Sequence, residues 1–286
     1  MKRSRFRQYA PLLLPLIAVV LNGCQAIGER LQMEPRLEGA PPVEDVLAGL
    51  AENDARLENF SAAGDFTIAS PKLRATQRIR GRVAFQQPAD LHLEGRHRLT
   101  GTVVCRLTAS GEEFFLEFPT EDAVFYNAEG ARVESVPFSV SPSDIVREMF
   151  MPEPWRDLPA RQARMTGYNP GAGVATIEIG PRNRVRRVLK VAGPPWVIVE
   201  NRRYDGFAEP IAVTTMNDYR DVDGIRFPAQ ISAEFPGEST WFTFDLRNIQ
   251  PNTELDHELF TIDWRYRVSR APDEPEPEGN RGRIGP

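Results

Sequence analysis

Strict alternation of apolar and polar side chains runs from Ile225 to Phe235 in this chain. Successive side chains of a β-strand point to opposite sides of the sheet, so the pattern predicts one apolar face and one wet face. Strands of this kind occur in antiparallel sheets that have a core on one side only. Shorter alternations recur along most of the chain and constrain it to a large antiparallel sheet.

The other predicted strands have the same period and are separated by turn signals. Gln87–Asp90 and Asp221–Gly224 are short and polar, and connections of this length join antiparallel neighbours. The longer predicted strands of the second half are Val174–Ile179, Val185–Val191, Trp196–Tyr204, Pro210–Tyr219 and Thr240–Ile249. About 11 strands are too many for a flat sheet, so we predict a mainly β (α+β) fold, a curved and unclosed antiparallel barrel.

Two segments have helical spacing instead. Apolar residues recur at three- and four-residue steps from Val43 to Leu57, after Pro42, which predicts an amphipathic helix that continues to Phe60. Ser141–Phe150 has a capping serine and a proline near its first turn, which predicts a second, shorter helix. We expect the helices to cover the concave apolar face of the sheet and to leave room for a ligand cavity.

Residues 1–23 have the composition of a signal peptide. Four basic residues and no acid precede an apolar run from Ala10 to Leu21. The run is too short to cross a bilayer core, which takes about 20 helical residues. Export and cleavage of this segment are therefore expected.

The tetrad Leu21–Cys24 resembles the lipobox of bacterial lipoproteins, in which a leucine and a small residue precede a lipidated cysteine. Asn22 departs from that pattern, which usually has Ala, Ser, Thr or Val there. The resemblance implies that acyl chains on Cys24 hold the protein on a membrane. The alternative is an ordinary signal peptide with Cys24 as a plain thiol. Cys105 lies in an alternating stretch typical of a small buried side chain, and the two cysteines of the chain exclude a disulfide framework.

Composition divides the mature chain into three regions. Residues 24–42 are polar and contain several prolines, which predicts a tether between the lipid anchor and the folded part. Residues 43–265 form the folded domain, and residues 266–286 are expected to be disordered. Loss of the four basic residues of the signal peptide lowers the formal net charge from −5 to −9, which gives no general attraction to nucleic acid.

Several segments, taken in order, resemble the LolA and LolB superfamily of periplasmic lipoprotein carriers and receptors. They are the opening helix, the strand with Phe66, Arg82–Leu91, Ser141–Phe150, Asn217–Tyr219, Gly224–Ile231 and the closing stretch from Asn252 to Phe260. The resemblance spans Val43 to Ile262. It implies an unclosed antiparallel barrel with an apolar interior that holds acyl chains.

The function implied by the resemblance is that of a carrier or acceptor for lipid or lipidated protein, with no cofactor. We take seven apolar side chains as candidates for lining the cavity: Phe85, Leu93, Leu116, Ile225, Phe227, Ile231 and Phe244. The expected partners are the membrane, through Cys24, and acyl chains, with envelope proteins as further partners and no nucleic acid. The alternative is a non-enzymatic envelope interaction or sensing module that uses the same fold.

The residue after the lipidated cysteine bears on localisation. In proteobacterial lipoproteins, Asp at this position retains the protein at the inner membrane, and this chain has Gln25 there. The resemblance therefore implies the periplasmic face of the outer membrane. The receptor of the family also bears a protruding apolar residue on a loop. Gly193–Trp196 is the only comparable segment, but we predict that Trp196 is a packed strand residue and do not transfer the role to it.

Few groups in the sequence suit an enzyme. The odd spacing of His92 and His97 puts them on opposite sides of one strand, so they cannot share a metal, and we predict surface positions for both and for His257. The chain has no nucleophile elbow, zinc-binding histidine pair or phosphate-binding glycine-rich loop. We therefore predict a protein that is not an enzyme and has no catalytic or metal-binding residues. A hydrolase, the remaining alternative, would need a polar cluster inside the barrel.

Arginines are concentrated between Arg182 and Arg187. They suit a patch that meets an anionic headgroup or a protein partner. Alternation, however, forces Arg186 and Arg187 to opposite faces, and the wet edge of a strand explains the cluster more simply.

Overall fold

The computed structural model describes residues 37–71, 73, 76–111, 113–120, 123–127, 144, 145, 148, 162–181, 184–206 and 209–262. The predicted signal peptide, Cys24, most of the tether and the predicted disordered tail lie outside the described residues. Pro41 begins the compact unit that contains the whole sheet.

Thirteen strands account for most of the described residues. They are β1 (Asn59–Ala69), β2 (Gln77–Gln86), β3 (Asp90–Arg96), β4 (Val103–Ser110), β5 (Glu113–Phe118), β6 (Ala123–Asn127), β7 (Ala163–Asn169), β8 (Val174–Ile179), β9 (Arg187–Ala192), β10 (Val197–Arg203), β11 (Ala212–Val222), β12 (Ile225–Phe235) and β13 (Thr240–Pro251).

All the strands belong to one antiparallel sheet, in the order β6-β5-β4-β3-β2-β1-β13-β12-β11-β10-β9-β8-β7. Strands that follow one another in sequence pair with each other, except β6 and β7, and the first and last strands, β1 and β13, pair in the middle of the sheet. β6 and β7 form the two edges, so the described strands make an open sheet. A sheet this wide curves when one of its faces is buried, and the predicted curved, unclosed antiparallel architecture is confirmed.

The predicted strands Val174–Ile179 and Ile225–Phe235 agree with β8 and β12 to the residue. The predicted number of strands was too low because β6 and β7 were missed. β6 has five residues, and the fully described β7 has no buried residue after Ala163. Edge strands of this kind lack the apolar alternation that reveals a central strand.

The first helix, α1, spans Val43–Ala55, with acidic residues in its first turn. Val46, Leu47 and Leu50 of α1 are buried against apolar side chains of β7–β10. The Asn53 side chain fixes the end of α1 to β12, because it accepts a hydrogen bond from the backbone N–H of Arg226 at 2.9 Å and donates one to its carbonyl at 3.2 Å. The prediction that this helix continues to Phe60 is wrong.

Of the second predicted helix, Asp144, Ile145 and Glu148 are described, and all three are helical. α1 is the single α-helix that the described residues show in full, so the prediction that several helices cover the concave face is not confirmed. Two 3₁₀ helices, Pro236–Glu238 and His257–Phe260, follow β12 and β13. Within the described part of the chain, no helix is long and apolar enough to cross a membrane.

The two faces of the sheet differ because the strands alternate. The inner face carries the apolar core, which continues from β5 across β1 and β13 to β12. On the outer face, polar and charged side chains form cross-strand pairs, such as Gln230 with Asp245 at 2.9 Å. The outer face of β3 and β4 is also contacted by the 3₁₀ helix His257–Phe260.

Candidate functional site

The inner face of the sheet brings together the side chains that the sequence singled out for a cavity. All seven are buried: Phe85, Leu93, Leu116, Ile225, Phe227, Ile231 and Phe244. Six of them belong to one cluster, and Ile225 lies outside it. The structure thus gathers six of the seven in one apolar cluster, and whether any of them contacts a ligand stays a prediction.

Strand register explains how distant parts of the sequence meet on this face. Leu107 of β4 lies opposite both Leu93 and Leu116, and Ile231 of β12 lies opposite Phe244. Directly opposed residues point to the same side of a sheet, and the pairing of Phe66 with both Phe244 and Ile79 links the two groups across β1.

Phenylalanine rings that the cavity prediction left out occupy the middle of the inner face. The ring centroids of Phe60 and Phe227 lie 4.7 Å apart in an edge-to-face arrangement, and those of Phe66 and Phe244 lie 4.5 Å apart. Phe60 was left out because the predicted helix was extended to include it. Once β1 is recognised, its alternation with Ala62 and Phe66 is the signal that identifies it.

Three glycines form a row across the inner face, since Gly64 of β1 lies opposite Gly81 of β2, which lies opposite Gly95 of β3. Neighbouring side chains fill the space above them. A Cβ atom on Gly95 would lie 2.5 Å from Ile79 Cδ1, and one on Gly81 would overlap the ring of Phe66. Glycine rows of this kind let a sheet bend sharply and let large side chains approach its backbone.

A cluster of polar side chains lies on the inner face of β10 and β11, and the sequence did not indicate it. Arg203 binds Glu148 at 2.6 Å and Asp144 at 2.9 Å. Asn201 and Thr214, which are opposite each other in the sheet, each donate a hydrogen bond to Glu148 Oε2 at 3.3 Å. The Glu148 side chain is completely buried.

This cluster attaches the helical residues to the sheet. Ile145, between the two carboxylates, is buried in the inner apolar cluster. A hydrolase was predicted to have polar groups inside the barrel, and such groups are present. Both carboxylates are bound by Arg203, an arrangement whose direct physical effect is to hold Ile145 against the apolar face.

Two neighbouring arginines of the arginine-rich segment point to opposite sides of the sheet, as alternation predicts. Arg186 is exposed, whereas Arg187 is buried on the inner face, directly opposite Arg203. The simple interpretation of the whole cluster as a wet edge is therefore wrong for Arg187.

The cysteine and histidines also have clear environments. Cys105 is buried in the inner cluster, as predicted for a small apolar side chain. His97 and His257 are exposed as predicted, but His92 is half-buried on the outer face, where its Nδ1 lies 3.3 Å from Thr108 Oγ1. No three His, Cys, Asp or Glu residues among those described are grouped so that they could hold a metal ion.

An exposed apolar side chain does occur on a loop, but not at Gly193–Trp196. Trp196 packs so closely on α1 that a Cβ atom on Gly49 would lie 2.6 Å from its ring, which confirms the predicted packing. It lies in the turn before β10, so the prediction that it is a strand residue is wrong. Leu99 lies between β3 and β4 and is 91% exposed. Sequence reasoning missed it because a single leucine among polar residues has no periodicity.

Solved structures with a similar fold support this description. A DUF1329 family protein from Desulfovibrio piger superposes with a TM-score of 0.54 at 15% identity, over 78% of this chain and 98% of that one. A domain assigned to outer membrane lipoprotein sorting from Vibrio parahaemolyticus gives 0.52 at 11% identity, over 80% and 99%. The chain has the fold of these two proteins.

This likeness confirms the fold that the sequence resemblance implied. Sequence identities this low establish the fold alone. A LolA superfamily protein from Nitrosomonas europaea superposes with a TM-score of 0.49 at 12% identity, over 79% of this chain and 100% of that one. No protein-family model and no curated protein sequence matches the chain.

Proposed function

We propose that this LolA-like protein is a lipid-anchored envelope protein that holds an acyl chain, of a lipid or of a lipidated protein, against the inner face of its sheet. The observation that carries the proposal is the apolar cluster of the inner face, to which six of the seven predicted lining residues belong. Burial of apolar surface contributes about 25 cal/mol per Å2, so an extended acyl chain gains substantially from such a face.

The attachment of the helical residues supports a site that opens. Ile145 covers part of the apolar face, but it is held there largely by the contacts of Arg203 with Asp144 and Glu148. These contacts join the helical residues to one side chain of β10, so an entering acyl chain can take the place of Ile145 without separating any strands of the sheet.

The Vibrio parahaemolyticus neighbour, assigned to lipoprotein sorting, supports a cargo with acyl chains. Anchoring through Cys24 and the presence of Gln25 favour the periplasmic face of the outer membrane. There the protein would act as an acceptor or a carrier over short distances, since it does not leave its membrane.

A thiol count tests the anchor. Burial raises the pKa of Cys105 to about 11, so its thiol stays protonated at neutral pH and should react slowly with maleimide in the folded protein. After denaturation, the mature protein should take up one maleimide, at Cys105, because a thioether at Cys24 leaves no second thiol among the two cysteines. A Cys105→Ser variant is the control and should take up none. Uptake at Cys24 would contradict lipidation.

Photolabelling tests the site itself. A phospholipid with a photoreactive group near the end of its acyl chain should label inner-face residues such as Phe227, Ile231 and Phe244, and mass spectrometry of peptides locates the label. Trp241 of β13 is the internal control, because it is 38% exposed on the outer face of the same strand as Phe244. Nonspecific adsorption would label Trp241 first.

Two results would contradict the proposal. One is the repeated absence of lipid in extracts of gently purified protein, together with no inner-face label. The other is labelling confined to Trp241 and other outer residues. Either result would favour the alternative of an interaction or sensing module that docks its partner through a surface.

A further inference from the structure

A pocket of about 440 Å3 lies on the outer face of the sheet, away from the proposed acyl-chain site. It is formed by β2, β3 and the loop that follows β3, and its wall is strongly basic. The cationic and histidine side chains that line it are Arg80, Arg82, Arg96, His97 and Arg98. Glu94 is the acidic residue of the lining.

Glu94 is already bound by Arg96, which lines the pocket, and by Arg106, which does not. Its Oε1 accepts a hydrogen bond from Arg96 at 2.8 Å and its Oε2 accepts one from Arg106 at 3.2 Å. Burial would raise the pKa of Glu94, but the hydrogen bonds and charges of Arg106 and Arg96 outweigh it and hold the pKa below its usual value. Glu94 is therefore ionised, and both of its oxygens are in use.

Asp65, the next carboxylate along the outer face, gives little further compensation. Its Oδ2 binds Arg247 of β13, and its Oδ1 lies 3.8 Å from Arg80, a long contact on an exposed side chain. Within the described part of the chain, Arg82 and Arg98 make no hydrogen bond or ion pair with their side chains. The pocket thus keeps an excess of positive charge.

The register of the sheet also places two of these positively charged side chains next to each other. Arg80 and Arg96 lie directly opposite each other on β2 and β3. Like charges in directly opposed positions destabilise a sheet, and this chain, whose net charge is −5, has ample acidic residues with which to avoid the arrangement. An anion bound between the arginines would remove the repulsion.

Phosphate fits this pocket better than a single carboxylate. Guanidinium groups bind phosphate oxygens in bidentate pairs, and a doubly charged phosphate with three free oxygens satisfies several of them at once. We propose that the pocket lined by Arg80, Arg82, Arg96 and Arg98 binds a dianionic phosphate group, either that of a lipid headgroup with a phosphate monoester or that of free inorganic phosphate.

Calorimetric titration of the mature protein in detergent tests the proposal, with glycerol 3-phosphate as an acyl-free headgroup and inorganic phosphate as the free anion. Replacing both Arg82 and Arg98 with glutamine should weaken binding about tenfold for each arginine removed. The double variant Arg186→Gln/Arg220→Gln, which removes the same charge from exposed positions elsewhere, should bind within about twofold of the wild type.

The two ligands distinguish the sources of the phosphate. Tighter binding of glycerol 3-phosphate identifies a lipid headgroup, and equal or tighter binding of inorganic phosphate identifies the free anion. Failure of both ligands to bind would overturn the proposal, as would an equal loss of affinity in the control double variant. Acyl-chain labelling of the inner face is independent of these results, since the two sites lie on opposite faces.

Discussion

Substitution of alanine for Gly81 is expected to lower the free energy of unfolding by about 3 kcal/mol. The added Cβ would overlap the ring of Phe66 and, from the other side, the backbone carbonyl oxygen of Glu94. The ring can rotate, but the carbonyl belongs to the paired strand β3 and cannot move without loss of the β2–β3 register. Chemical denaturation followed by circular dichroism measures the effect.

Alanine substitutions at two further glycines test whether the effect is specific to Gly81. At Gly95 a Cβ would meet the ends of side chains, Ile79 Cδ1 at 2.5 Å and Cys105 Sγ at 2.6 Å, so Gly95→Ala should cost less than Gly81→Ala. At Gly167 of β7 the nearest atoms lie at 3.5 Å, and Gly167→Ala should be neutral or slightly stabilising. Equal effects at Gly81 and Gly167 would show that the glycine row does not shape the sheet.

Replacement of Arg203 by methionine should also cost about 3 kcal/mol, because it leaves the buried Glu148 carboxylate without its cation. Asn201 and Thr214 remain as hydrogen-bond donors, but neither carries charge. A second substitution, Glu148→Gln, should recover at least about half of the loss, because an amide accepts the same hydrogen bonds without an unpaired charge. Thermal or urea unfolding of the single and double variants measures both quantities.

The neighbouring residue supplies the control. Arg202 lies on the outer face of the same strand, where it binds Glu200 at 2.7 Å and is 42% exposed. Arg202→Met should cost less than about 1 kcal/mol. If Arg203→Met and Arg202→Met lower the free energy of unfolding equally, the inner polar cluster is not a buried charge network. If Arg203→Met also exposes the apolar face, binding of a hydrophobic dye should rise in that variant alone.

The Arg203 variants bear on function as well as stability. Ile145 is held against the apolar face between two carboxylates that share Arg203. Loss of the arginine should therefore speed the exchange of a photoreactive lipid even where the sheet stays folded. This links the inner polar cluster to the proposed acyl-chain site without a catalytic role for its carboxylates.

Much of the fold follows from local pattern. A strand's period of two is set by its own backbone, so alternation in Ile225–Phe235 identified both the strand and its inner face. The same parity correctly predicted that Arg186 and Arg187 point to opposite sides. Alternation did not identify the two edge strands, because side chains at an edge need not alternate. It also did not place Phe60 in β1, because apolar spacing alone does not mark where α1 ends.

By itself the sequence determined the element types, the apolar face and the candidate lining residues, because each depends on neighbours in the chain. Only the tertiary structure decided the residue-by-residue register and which strands distant in sequence are adjacent, and with these the pairing of β1 with β13, the glycine row and the opposition of Arg80 and Arg96. Tertiary structure likewise brought Glu148 to Arg203, 55 positions apart in the numbering of the chain. Contacts of this kind depend on register between distant segments, and no periodicity within either segment encodes it.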